Sequence, residues 1–142
     1  MSIYPLIPFP AHAGITGFES PAAQYAKAGL SLDELLILHP STTWIGVAKG
    51  DSMIGEGIFD GDLLIVDRDI IAENNSVIVA RLNGEFVCKI LDKNRRMLLS
   101  SNEKYQAVPI HEYDEFSVEG VVIRSIRMLH KTVAVGHWQC TP

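Results

Sequence analysis

From Thr42 onward the chain is punctuated like a sheet, and that punctuation limits its fold more than any other feature. The β-branched or aliphatic runs Thr43–Lys49, Leu63–Asp67, Val77–Leu82, Glu85–Leu91, Met97–Ser100 and Val118–Leu129 are separated by Gly, Asn and Asp, and each predicts a strand. One connection is specified by its residues. Asn83-Gly84 stands between two apolar runs, and both residues accept the positive φ that a type I′ hairpin turn requires. The expected fold is mainly β.

Ahead of Thr42 the pattern differs. Met1 to Ser20 has Pro8, Pro10, Gly14 and Gly17 and no periodic apolar face, which predicts an extended arm. Two short helices should follow. Pro21–Ala28 has Ser20 as N-cap, Pro21 at the first helical position and Gly29 as its stop. Leu32–Leu38 opens on Ser31-Leu32-Asp33-Glu34, a capping box, and His39-Pro40 closes it. The chain thus divides into residues 1–40, arm and short helices, and residues 41–142, a β-rich domain. With 142 residues, 47% hydrophobic and 20% charged, it can bury a core without metal or disulfide staples. Its two cysteines, Cys88 and Cys140, fit reduced thiols in a cytoplasmic protein better than a secreted disulfide framework.

Charge and motifs remove several function classes. Seventeen acids against twelve bases give a net charge of -5, and the basic residues cluster only at Lys93, Arg95 and Arg96, so direct DNA binding is not expected. No apolar run reaches the length of a membrane span. Ala11-His12-Ala13 copies a signal-peptidase site, but no Lys or Arg precedes Lys27, and Pro5, Pro8 and Pro10 interrupt the apolar stretch before it. Gly55, Gly57 and Gly61 fail as a nucleotide loop because Asp60 holds the third glycine's place and a strand follows instead of a helix. The histidines His12, His39, His111, His130 and His137 have neither a triad acid nor metal-ligand spacing in the sequence. Neither a cofactor nor a metal is expected.

Two residues remain. Ser52 lies in Gly50-Asp51-Ser52-Met53, a glycine-containing turn straight after a strand, where backbone N–H groups are free to face a substrate oxygen. Its hydroxyl either bonds its own turn or serves as a nucleophile. Lys89 shares its side of a strand with Val87 and Leu91. An ammonium among aliphatic neighbours loses solvation and its pKa falls, which makes a general base; the alternative is a lysine whose head reaches water from an edge strand.

The stretches Gly50-Asp51-Ser52-Met53, Asp60-Gly61-Asp62-Leu63-Leu64-Ile65-Val66-Asp67 and Gly84-Glu85-Phe86 leading into Lys89 closely resemble the UmuD and LexA self-cleaving serine peptidases. Phe18-Glu19-Ser20-Pro21-Ala22-Ala23, Leu30-Ser31-Leu32-Asp33 and Leu36-Ile37-Leu38-His39-Pro40-Ser41 are similar to the UmuD branch in particular. The resemblance covers nearly the whole chain. It implies a LexA/signal-peptidase-like β-rich peptidase domain, with Ser52 as nucleophile, Lys89 as general base and the N–H groups of Asp51 and Ser52 as oxyanion donors.

It also implies a biological setting. In that setting the protein is a homodimer, a RecA filament on single-stranded DNA promotes the cut, and the trimmed dimer joins a UmuC-type subunit in a translesion DNA polymerase V of the SOS response. A LexA-type repressor is disfavoured, since only 51 residues precede Ser52, too few for a helix-turn-helix domain and a linker. The family cuts between a small residue and Gly just before the Phe-x-Ser-Pro-Ala segment. A gapless match falls at Thr16-Gly17, but stiff, β-branched Thr16 suits a tight pocket poorly. Ala13-Gly14, three residues earlier, is the expected bond, within reach of an extended arm at about 3.3 Å per residue. The competing function is a purely binding dimer whose Ser-Lys pair is vestigial.

Overall fold

The protein is described from a computed structural model, which covers residues 2–6, 11 and 29–130. It divides into two compact units, Met1–Leu38 and His39–Pro142. In the first, β1 (Tyr4–Pro5) pairs antiparallel with β2 (Gly29–Leu30), Tyr4 opposite Leu30. Helix α1 follows over Leu32–Leu36, and the Ser31 hydroxyl caps it by accepting the Glu34 N–H at 3.5 Å. The helix is shorter than the expected Leu32–Leu38. Ile37 has turned extended (φ -117°, ψ 108°), as a β-branched residue at a helix end readily does when a Pro lies three positions on. The expected helix Pro21–Ala28 and most of the arm fall outside the described residues.

The second unit is a seven-stranded antiparallel sheet. Its strands are β3 (Thr43–Val47), β4 (Leu63–Asp67), β5 (Val77–Leu82), β6 (Glu85–Asp92), β7 (Met97–Leu99), β8 (Val108–Pro109) and β9 (Phe116–Ile126), in the spatial order β3-β4-β9-β5-β6-β7-β8. The mainly β expectation holds, with several strand ends moved by a few residues. β3 ends at Val47 because Ala48 leaves the ladder to exchange hydrogen bonds with the connection to β4: its N–H donates to the Asp62 carbonyl and its carbonyl accepts from Gly61, both at 2.8 Å. β9 starts two residues early and stops at Ile126. The expected I′ turn is present. Asn83 (φ 51°) and Gly84 (φ 86°) both lie in the left-handed region, and Leu82 pairs with Glu85.

The sheet is packed on both faces. Ala48, Met53, Ile58, Leu64, Val66 and Val79 form one core. Ile78, Ala80, Leu91, Leu98, Ile110 and Val121 form the other. Consecutive residues Ile78, Val79 and Ala80 of β5 alternate between the two, which is why this strand reads as an unbroken apolar run. β9 crosses the middle with two bulges. Against β4 the extra residue is Ile123, since Ile65 pairs with Arg124 and Val66 with Val122. Against β5 it is Glu119, whose carbonyl accepts the Trp44 indole N–H at 3.2 Å. A bulge leaves a peptide group off the ladder, and here Trp44 satisfies that carbonyl.

Candidate active site

The connection from β3 to β4 carries Ser52. Gly50 opens it in the left-handed region (φ 87°), with its N–H held by the Asp60 carboxylate at 2.7 Å. A single 3₁₀ turn, Ile54–Glu56, follows and ends on left-handed Gly57 (φ 79°). Between them Met53 is only 4% exposed, so the side chain next to Ser52 is anchored in the first core while Ser52 itself is half-buried. Burying Met53 fixes the backbone of a turn that would otherwise be free to move.

Ser52 and Lys89 line one cavity of about 420 Å³. Its walls are largely apolar, with Trp44, Ala48, Met53, Ile58, Leu64 and Val79 from the first-core side and Phe86, Val87 and Cys88 from β6. Lys89 is half-buried, and burial pushes its amine below the ordinary lysine value, with Cys88 beside it pulling weakly the other way. The Lys89 head is bound. Its Nζ donates to the Ser100 hydroxyl at 2.8 Å and lies 5.3 Å from the centre of the Tyr105 ring. A lysine head free in solvent is therefore not what is found, since the amine is engaged, although Lys89 pairs only with β5 and lies one position beyond the β7 ladder.

Cys88 is the other potential nucleophile on the cavity wall. Burial raises its thiol to about 11, an effect that the neighbouring Lys89 only partly offsets. At neutral pH it is a thiol, not the reactive thiolate.

The segment after β7 ties the serine turn and the lysine strand together. Ser101 donates its N–H to the Ser52 carbonyl at 2.9 Å, and its own carbonyl accepts the Gly55 N–H at the same distance. The Asn102 amide donates to the Asp51 carbonyl at 2.9 Å, and the Tyr105 hydroxyl donates to the Asp51 carboxylate, which raises the Tyr105 pKa. A side chain on Gly55 would not fit, since its Cβ would sit 2.4 Å from the Ser101 carbonyl oxygen. These contacts are invisible in a linear reading. The register does hold the signal: Ile90 pairs with Leu99, so the next position outward sets Lys89 opposite Ser100.

The histidines contribute elsewhere. His39 is the one that sequence spacing leaves without an acid and the fold supplies with one, Asp67, 28 positions on. Its Nδ1 lies 2.5 Å from an Asp67 oxygen, and Asp69 stands 3.6 Å from its Nε2. The Asp67 hydrogen bond raises the imidazole pKa. For fully buried Asp67, burial alone would raise the carboxyl, but the Asp69 N–H, His39 and the Thr42 hydroxyl together draw it below its ordinary value. Neither residue lines the Ser52 cavity. His111 stacks on Tyr113; His12 and His137 fall outside the described residues, as do Ala13, Gly14, Thr16 and Gly17. Among the described residues no group of His, Cys, Asp and Glu is placed to hold a metal ion, and no helix is long and apolar enough to cross a membrane.

A β-rich domain with a serine on a glycine-bounded turn and a desolvated lysine on the same cavity is an arrangement compatible with serine peptidase chemistry. Residues 8–123 match the Peptidase S24-like family, and the chain belongs to it, a family of self-cleaving peptidases. It is 39% identical over 123 residues to Protein MucA of Salmonella typhimurium, covering 84% of each chain. It is 38% identical over 117 residues to Protein SamA of the same species, covering 82% of this chain and 79% of that one. The LexA repressor of Stenotrophomonas maltophilia is 35% identical over 107 residues, which span 70% of this chain and 51% of the repressor.

Proposed function

We propose that the chain cleaves its own N-terminal arm at Ala13-Gly14 with Ser52 as nucleophile and Lys89 as general base. The observation that carries this reading is one cavity lined by both residues and an amine that burial has made easier to deprotonate. Neutral Lys89 takes the Ser52 proton as the serine oxygen attacks the Ala13 carbonyl carbon, and the N–H groups of Asp51 and Ser52 receive the developing oxyanion. As the Ala13–Gly14 C–N bond breaks, Lys89 returns the proton to the Gly14 amine. Water then attacks the Ala13 ester, Lys89 accepts a water proton, and its transfer to the departing serine oxygen restores Ser52. The products are residues 1–13 and a chain that begins at Gly14.

The cut is a switch, because each arm can be cleaved only once. By family membership and likeness to MucA and SamA, the trimmed chain is read as a cytoplasmic homodimer that serves as accessory subunit to a UmuC-type translesion polymerase, with a RecA filament on single-stranded DNA stimulating the cut. Its charge of -5 fits a protein partner better than DNA.

The test is intact mass after alkaline incubation of the purified chain. The wild type should lose residues 1–13 while Ser52→Ala and Lys89→Ala stay whole. Gly14→Glu should also stay whole, by steric exclusion, with an unchanged melting temperature. A wild type that never shortens marks a binding subunit with a vestigial pair, and a product starting at Gly17 moves the bond to Thr16-Gly17.

A further inference from the structure

We propose that Ser100 is a positioning residue for Lys89, its hydroxyl accepting one Nζ–H so that the amine is held in the cavity with its lone pair free for proton transfer. The inference rests on the reading of Lys89 as the base. Its ground is geometric. A lysine side chain has four rotatable carbons, and a base on such a stem is useful only if something fixes its head. The 2.8 Å bond to Ser100 does this from across the β6–β7 ladder, one position beyond the Ile90–Leu99 pair. The Tyr105 ring limits the head on a second side at 5.3 Å. Because Ser101 bonds the Ser52 carbonyl, the residue just after β7 that holds the lysine head runs directly into the one that holds the serine backbone. Two consecutive serines thereby set base and nucleophile in one frame.

The hydroxyl also affects protonation. A hydrogen bond accepted from an amine is stronger when the amine is charged, so Ser100 favours the ammonium and opposes the effect of burial. The other ionisable groups around the head are Cys88 on its own strand, Tyr105, Asp51 bound by Tyr105, and Lys49 on the cavity wall. All of these stay in place when the Ser100 hydroxyl is removed. Two effects with different signs follow from Ser100→Ala: the amine deprotonates at lower pH, and once neutral it is less well aimed.

The experiment is the pH–rate profile of self-cleavage for the full-length wild type, Ser100→Ala and Ser100→Thr, followed by intact mass. In Ser100→Ala the rising limb should move to lower pH while the plateau falls by up to about a hundredfold, the scale of a catalytic group misplaced by about 1 Å. Ser100→Thr keeps the hydroxyl and should restore both. A purely structural serine would lower the rate at every pH and leave the midpoint alone. That result, a wild-type profile in Ser100→Ala, or an equal defect in Ser100→Thr overturns the proposal. Ser52→Ala run in parallel separates the two levels. Continued cutting there removes the peptidase reading and this inference with it, whereas an inert Ser52→Ala beside an unaltered Ser100→Ala removes only the role of Ser100. NMR titration of the Lys89 amine in Ser52→Ala and Ser52→Ala/Ser100→Ala reads the bond without any turnover. A lower midpoint in the double variant is expected, and equal midpoints overturn the proposal.

Discussion

On the proposed reading Lys89 is under opposing demands, since burial works against its charge and a base must shed that charge to act. Burial lowers its folded-state pKa below the unfolded value, which for lysine is about 10.4. Below the folded pKa both states are charged and the folded chain bears the whole desolvation cost. Between the two values the unfolded chain binds more protons, so stability rises with pH; above the unfolded value the cost has vanished. Lys89→Met, similar in length and uncharged, should therefore abolish self-cleavage and raise the melting temperature over wild type at neutral pH, by an excess that shrinks as the pH approaches about 10. Thermal melts of the two proteins across that range check it, and an excess that stays constant would show that burial of the charge is not the source. Lys89 stands out in the sequence, because a lone ammonium between Val87 and Leu91 breaks the pattern of its strand, but those residues alone leave a solvent-reaching lysine open and only the family resemblance singles it out as a base. Ser52 likewise reads as an ordinary turn serine until the resemblance is added. Ser100, Asn102 and Tyr105 do not stand out. Their value depends on register and on a loop that folds back over another turn, and serine or asparagine after a strand looks like ordinary loop composition.

The strands of five or more residues can be placed from the chain because Val and Ile runs between Gly, Asn and Asp leave few other options. β1, β2 and β8, at two residues each, carry no such signal, and β8 includes a proline, which sequence rules assign away from sheets. The bulges in β9 are equally hidden, although one residue marks them. Gly120 sits at φ 152°, and a Cβ there would lie 2.5 Å from a Val66 methyl and 3.1 Å from the Asp67 carbonyl oxygen. Both atoms belong to the next strand, so relief requires the β4–β9 pairing to open. Gly120→Ala should cost about 2–4 kcal/mol from strain and overpacking together. Chemical denaturation of the two proteins measures this, and a loss below about 0.5 kcal/mol, the size of a neutral surface change, would show that β9 can slide to accept the methyl.

At the scale of the molecule the sheet keeps two cores apart; the first meets the cavity through its buried Met53, Ile58, Leu64 and Val79, the second only through half-buried Val87 packed at its margin. Ile110 belongs to the second core, whose buried residues do not line the cavity. Ile110→Val should lower stability by about 1 kcal/mol and leave the self-cleavage rate unchanged, whereas Leu64→Ala should cost about 2–5 kcal/mol and slow the cut as well, because it enlarges the space in which Ser52 and Lys89 must meet. Rates measured well below both melting temperatures decide this; equal slowing in the two variants would mean that the cores are coupled through the sheet. The separation has a consequence for descent. Tolerance accumulated on the side remote from the cavity can absorb the damage of drift around the serine and lysine, so lineages can remodel the lining of the cavity without first losing the fold that carries it.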